Sequence, residues 1–286
     1  MSDLTQQYTL FAHPAKHSLS PQIHNEGFRV NRLDAVYFVI DTEAAGSEIA
    51  AEIRTRPLAG CNLSLPLKET LIPELDEISP TAQLIGAVNT VKNIAGRLIG
   101  TNTDGEGLIA DIQANNVNLS GKRILLLGGG ACARAILVAL AARQPLEVTV
   151  IQRANRPHFQ QVQTLITILQ SASEPLVSNL TCVDWSWLAS AELESYDLVI
   201  NATSLGFGAH HAQAPLSIEQ LRRFQPTTQI WDVIYEPRET HFLQASRELG
   251  LTTHNGLGML LQQAARSFDF WTGHKLPLAV IEKTLK

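Results

Sequence analysis

Short apolar runs alternate with longer amphipathic stretches along almost the whole chain. Residues 8–11, 35–40 and 59–63 predict strands. The segment entered at Pro21 and the stretch 42–54 predict helices between them. Ser20 is placed to cap the first helix, with Pro21 at its first position, where a missing N–H costs nothing. Runs 87–92 and 97–100 flank the turn Asn93 to Gly96 and predict a hairpin, and a helix follows from about Gly105 to Gln113. Strands alternating with helices predict an α/β layer with a mainly parallel sheet.

The sharpest pattern lies at 122–143. Ile124 to Leu127 form an unbroken apolar run, as expected of a strand buried on both faces of a parallel sheet. Gly128, Gly129 and Gly130 interrupt it, and an alanine-rich helix continues from Ala131 to Ala142. Strand, glycine turn and helix give meaning to the G-x-G-x-x-G/A pattern filled by Gly128, Gly130 and Ala133. Gly128 permits the tight turn, Gly130 clears room for a pyrophosphate, and Ala133 lets helix and strand pack closely. The helix start, with Ala131 and Cys132, offers N–H groups and partial positive charge to phosphates. Strands at 147–151, 196–201, 229–234 and 251–254 follow, with helices at 159–170, 239–249, 257–271 and 276–285. Residues 170–193 predict a loop with one strand. A domain boundary falls near Asp104. Residues 1–103, completed by 256–286, form one α/β domain, and 104–255 a Rossmann-type dinucleotide-binding domain.

NAD-binding folds of this kind place a carboxylate about 20 residues after the glycines to hold the ribose 2′-hydroxyl. Here the strand ends at Gln152, with Arg153 and Arg156 behind it and no acid. Two guanidiniums suit a 2′-phosphate, which predicts NADP over NAD. The plainer alternative is that both arginines decorate a helix-start loop, where cations without an anion are unfavourable.

Composition narrows the remaining choices. The 286 residues are 45% hydrophobic and 17% charged, with a net charge of −5. No basic footprint for nucleic acid and no apolar run long enough to span a membrane is present. Cys61, Cys132 and Cys182 are far apart and odd in number, which predicts reduced thiols in a cytoplasmic protein and neither disulfides nor zinc. The N-terminal segment lacks the basic and apolar regions of an export signal. His13, His17 and His24 cluster without ligand spacing, so no metal is predicted. Oligomeric state is not readable, and a homodimer stays open.

Polar segments stand where loops should leave strands: His17 to Pro21, Asn62 to Lys68, Gly86 to Thr90, Asn102 to Gly105, and Gly256 to Gln263. With the glycine turn, Asn201 to Gly206 and Tyr235-Glu236-Pro237, they resemble the shikimate dehydrogenase family along nearly the whole chain. The resemblance implies that Ser18 and Ser20, helped by Tyr235, hold a substrate carboxylate. It makes Lys68 and Asp104 the catalytic pair, and Ser64, Asn89 and Gln263 the residues gripping ring hydroxyls. Asn201, Thr203, Ser204, Leu205, Val233, Gly256 and Met259 would line the nicotinamide side of a cleft between the domains, and Gln152, Arg153 and Arg156 the adenosine side. The implied activity is reversible NADPH-dependent reduction of 3-dehydroshikimate to shikimate in aromatic amino-acid biosynthesis.

The chemistry agrees with those residue types. Hydride addition to a ketone makes an alkoxide that must be protonated or stabilised as it forms. A lysine ammonium can do both, oriented by a carboxylate. Taken singly, Lys68 reads as a surface lysine and Asp104 as a helix cap. The sequence departs from the family at Ala12-His13, where Gly-Asn is usual, and at Ser64 for threonine. Leu67 stands in place of an aromatic, Ala131 for glycine, Gln152 for asparagine and Phe207 for methionine. These leave open a quinate/shikimate dehydrogenase or a paralogue using NAD or another polyol acid. A nucleotide-binding sensor would need the glycine turn but not Lys68.

Overall fold

The computed structural model describes residues 5–16, 18–56, 58–171 and 179–285. His17 lies outside them. By internal contacts the chain forms two units, one running to Gly107 and resuming at Leu261, the other spanning Leu108–Leu260.

In the first unit, β1 (Gln6–Ala12), α1 (Ser20–Asn31), β2 (Ala35–Asp41), α2 (Gly46–Thr55) and β3 (Leu58–Leu63) follow the predicted alternation. Tyr8 to Ala12 are all buried, so β1 is an inner strand. It pairs in parallel with β2 and β3. Ser20 is the first residue of α1, not its cap. The cap position falls on Leu19, with no side-chain bond, while Ser18 Oγ accepts the Ser20 N–H at 3.2 Å.

Then come β4 (Glu77–Ile78), α3 (Pro80–Ile85), β5 (Thr90–Ile94), β6 (Arg97–Thr101) and α4 (Asp104–Ala114). The short α3 has no counterpart in the sequence reading. Ser79 caps it at Ala82 N–H, and Gly86 ends it at φ 69°. The sheet order is β2-β1-β3-β5-β6-β4, and β5 runs antiparallel to both β3 and β6. This first sheet is therefore mixed, with three parallel pairings and two antiparallel ones made by β5. The hairpin turn sets the reversal: Ala95 and Gly96 both take positive φ, which matches the twist of the flanking strands.

The second unit contains β7 (Arg123–Leu127), α5 (Ala131–Ala141), β8 (Glu147–Ile151), α6 (Pro157–Gln170), β9 (Leu180–Val183) and β10 (Leu198–Asn201). It continues with α7 (Ile218–Leu221), β11 (Gln229–Asp232), α8 (His241–Glu248), β12 (Thr252–His254) and α9 (Leu257–Thr272). The sheet order is β12-β11-β10-β7-β8-β9, parallel throughout. That is the doubly wound order, whose ligands sit beyond the carboxyl ends of the strands. The register sets Leu127 beside both Ile151 and Asn201, and Asn201 beside Asp232. The glycine turn and these two polar side chains thus emerge level with one another. The last helix, α10 (Leu278–Thr284), returns to the first unit. The chain passes between units within α4 and α9.

One buried group in the first unit is unusual. His24 stacks on Tyr37 at 4.5 Å and lies 5.1 Å from Trp271, and neither ring nitrogen has a hydrogen-bond partner. Burial pushes its pKa down to about 3, so the imidazole is neutral. Among the described residues no helix is long and apolar enough to cross a membrane.

Candidate functional site

In the first unit the site starts with a lysine in the loop after β3. Leu67 N–H bonds Ser64 O at 2.7 Å, closing a turn, and Leu67 itself is buried. The Lys68 carbonyl is then fixed by Val88 N–H at 2.8 Å. Lys68 Nζ meets Asp104 Oδ2 at 2.6 Å, with side-chain exposures of 16% and 7%. A pair so far withdrawn from water has to be satisfied by further hydrogen bonds. Asn89 supplies one: its amide donates to Asp104 Oδ1 at 2.8 Å and to Thr103 Oγ1 at 2.9 Å. Its carbonyl accepts Thr103 N–H and Thr90 Oγ1–H, both at 2.9 Å, which fixes which way the amide faces. Asp104 opens α4, and Asn102 Oδ1 accepts its N–H at 3.0 Å.

The network reaches α9. Gln263 Oε1 lies 3.3 Å from Thr103 Oγ1 and 3.5 Å from the Asn89 amide. Gly107 makes this approach possible, because a Cβ there would sit 2.7 Å from Gln263 Cβ. Behind it, Ser267, Thr90 and Asn62 form a buried hydroxyl–amide cluster that ends on the Tyr37 hydroxyl. The expected catalytic pair, Lys68 and Asp104, and the expected substrate residues Asn89 and Gln263 are thus joined. Ser18 Oγ accepts only the Ser20 N–H, and Ser64 Oγ bonds nothing, among the described residues. At the end of β1, His13 Nδ1 lies 2.7 Å from Asp41 Oδ1, a bond that raises the imidazole pKa.

In the second unit Gly128 has φ 110°, and a Cβ would lie 2.8 Å from Ala202 O. Gly130 differs: an added Cβ would meet nothing within 4 Å. It takes the N-cap position of α5, where it has no side chain to offer the first amides. Ala133 is buried, and Ala131 and Cys132 are half-exposed. Arg134, 3% exposed, donates to Gly129 O at 3.3 Å and buttresses the turn. Open space at a helix start, bounded by glycines, fits the pyrophosphate of a dinucleotide. Gln152 is buried at the end of β8. Arg153 and Arg156 are exposed and form no ion pair among the described residues.

Across the sheet, Asn201 Oδ1 accepts Thr203 N–H at 3.1 Å and Thr203 Oγ1–H at 2.7 Å, and Thr203 Oγ1 accepts Leu205 N–H. Ser204 is exposed on the same loop. Val233 N–H bonds Asn201 O, and Gly256 packs so that a Cβ would clash with Val233 O. Met259 is buried, and Tyr235 is half-buried on the segment after β11.

The residue that sequence reasoning missed here is Asp232. It accepts from the Asn201 amide at 3.0 Å, Ile234 N–H at 3.1 Å and Thr240 Oγ1–H at 2.8 Å. Burial nonetheless raises its pKa to about 6. A lone carboxylate inside the apolar run 230–234 was the available signal. For Ser267 the signal was its place four residues after Gln263, on the same helical face.

The chain is similar to known proteins along nearly its whole length. A family model described as shikimate dehydrogenase substrate binding domain matches residues 10–91, and one described as shikimate 5'-dehydrogenase C-terminal domain matches 256–286. A shikimate dehydrogenase (NADP(+)) of Latilactobacillus sakei is 41% identical over 281 residues, covering 96% of this chain and 94% of the relative. The crystal structure of shikimate 5-dehydrogenase from Listeria monocytogenes, in complex with shikimate and NAD, superposes with a TM-score of 0.86 at 31% identity, covering 99% and 96% of the two chains. Ligand-free 5-ketofructose reductase of a Gluconobacter strain superposes with a TM-score of 0.81 at 31% identity, covering 99% and 98%.

Proposed function

Because the chain belongs to the shikimate dehydrogenase family, we propose that it carries out the reversible NADPH-dependent reduction of 3-dehydroshikimate to shikimate, a step of aromatic amino-acid biosynthesis. The observation that carries this reading is the Lys68–Asp104 pair at 2.6 Å, nearly closed to water and braced by Asn89. A plain nucleotide sensor has no use for it.

NADPH, when bound, supplies the hydride. Lys68 gives a proton or a charge-assisted hydrogen bond to the oxygen that becomes the alkoxide, and in the reverse direction takes the proton back. Asp104 orients the ammonium and accepts from the neighbouring substrate hydroxyl. Asn89 holds Asp104 from behind, and with Ser64 and Gln263 it grips the ring hydroxyls. Ser18 and Ser20, with Tyr235, receive the substrate carboxylate through hydroxyl donors. On the cofactor side, the space at Gly130 and the first amides of α5 take the pyrophosphate. Arg153 and Arg156 take the 2′-phosphate, with Gln152 beside the adenosine. Asn201, Thr203, Ser204, Leu205, Val233, Gly256 and Met259 line the nicotinamide side. The enzyme works in the cytoplasm, which cysteines outside any disulfide suit.

Initial rates of nicotinamide reduction, with shikimate and quinate crossed against NADP and NAD, test the assignment. Fast turnover is expected with shikimate and NADP. Comparable rates with quinate or NAD would move the protein to a broader branch, and no turnover in any combination would overturn the function.

A further inference from the structure

A carboxylate with no part in the chemistry holds the turn that carries the two arginines. Asp184 follows β9, the edge strand beside β8. Its Oδ2 accepts Ala154 N–H at 2.7 Å, and Ala154 lies between Arg153 and Arg156. Its Oδ1 accepts the N–H and hydroxyl of Ser186 at 3.0 and 2.8 Å. These donors hold the carboxyl down to about 2, so it is ionised. The turn is otherwise fastened by Gln152 N–H to Val183 O at 3.1 Å and Arg156 N–H to Arg153 O at 3.1 Å. The carboxylate forms no ion pair with either exposed arginine among the described residues. Here its oxygens are engaged by backbone amides and Ser186, and the arginines stay unpaired among the described residues.

We infer that Asp184 is a positioning residue for cofactor choice: by holding Ala154 N–H it fixes the turn at 153–156 so that Arg153 and Arg156 are presented together, unpaired, to a phosphate on the ribose 2′-oxygen. This rests on the proposed role of the two arginines. Capping the short helical turn at 185–189 uses Oδ1, whereas the hold on Ala154 uses Oδ2. The two roles therefore separate in their consequences. A cap supports the unit as a whole and treats both cofactors alike. The hold on Ala154 bears on the 2′-phosphate and leaves NAD untouched.

The test is the KM for NADP and for NAD at saturating shikimate in the wild type, Asp184→Ala, Asp184→Asn and Ser186→Ala. Asp184→Ala is expected to raise the NADP KM roughly tenfold, with kcat and the NAD KM unchanged. Asp184→Asn keeps one acceptor oxygen and falls between it and the wild type, so it serves if the alanine variant does not fold. Ser186→Ala leaves the ratio as it was. Equal rises for both cofactors, or an unchanged ratio in Asp184→Asn and Asp184→Ala, would overturn the inference. A wild type with no preference for NADP would instead overturn the role of the arginines.

Discussion

The two units solve their binding problems with different materials. In the first, side chains form the candidate site: Lys68, Asp104, Asn89, Thr103 and Gln263 share one hydrogen-bonded network. In the second, backbone does most of the forming. Gly128 permits a close backbone approach to Ala202, Gly130 leaves open space, and Asn201 folds a loop by accepting Thr203 N–H. A proton can be given only by a titratable side chain, whereas a dinucleotide is held well by amides and dipoles. Substitutions should therefore act on kcat in one unit and on cofactor binding or folding in the other.

The largest effect expected is from Lys68→Ala, which removes the proposed donor to the nascent alkoxide. Its kcat should fall by about 10²–10⁴-fold with little change in KM, measured by steady-state rates in both directions. Near-normal kcat would break the contrast at its strongest point. The two glycines sharpen it on the other side. Gly128→Ala forces a side chain onto φ 110° and against Ala202 O, a strain of about 1–3 kcal/mol that should lower the melting temperature. Gly130→Ala, with nothing within 4 Å of the new methyl, should leave the melting temperature alone and raise the KM for NADP. Equal melting losses in both would mean that open space at Gly130 is not a ligand's space.

The smallest effect concerns acid. His24 is buried neutral with a folded pKa of about 3, against an ordinary value of 6.5. Below about pH 6.5 the unfolded chain takes up a proton that the folded one refuses. Stability is then lost as pH falls toward 3, by at most about 1.4 kcal/mol per pH unit. Urea titrations of the wild type and His24→Phe between pH 6.5 and 4.5 should differ by that slope. His254 of the second unit, half-buried and stacked on Trp231 at 3.8 Å, has its pKa lowered by the same cause.

Legibility in the sequence divides along the same line. The run Ile124 to Leu127, broken by glycines, announces strand, turn and helix because burial on both faces leaves no polar position to confuse the pattern. The mixed first sheet was not readable. The antiparallel neighbour of β3 is β5, well separated along the chain, and periodicity within a strand says nothing about its partner. The helix α3 escaped because six residues are too few to show a helical period. Lys68 and Asp104 each look ordinary in their own segments, and their pairing needed the resemblance. Asp232 was hidden because a strand end tolerates a polar residue, and only the fold shows three donors converging on it.

The passage of the chain between units inside α4 and α9 has a consequence for anyone recombining such proteins. There is no slack linker to cut at these points. A graft that exchanged one dinucleotide-binding unit for another would have to join half-helices turn for turn, because each added or lost residue rotates the remainder of the helix by about 100°. Asp104 and Gly107 lie on one side of the first junction and Asp111 on the other, within the same few turns. A splice one residue out of phase would turn Asp111 and everything after it away from its present course. Modularity in this chain is therefore quantised in helical turns, and libraries of chimaeras should vary their junctions in steps that respect it.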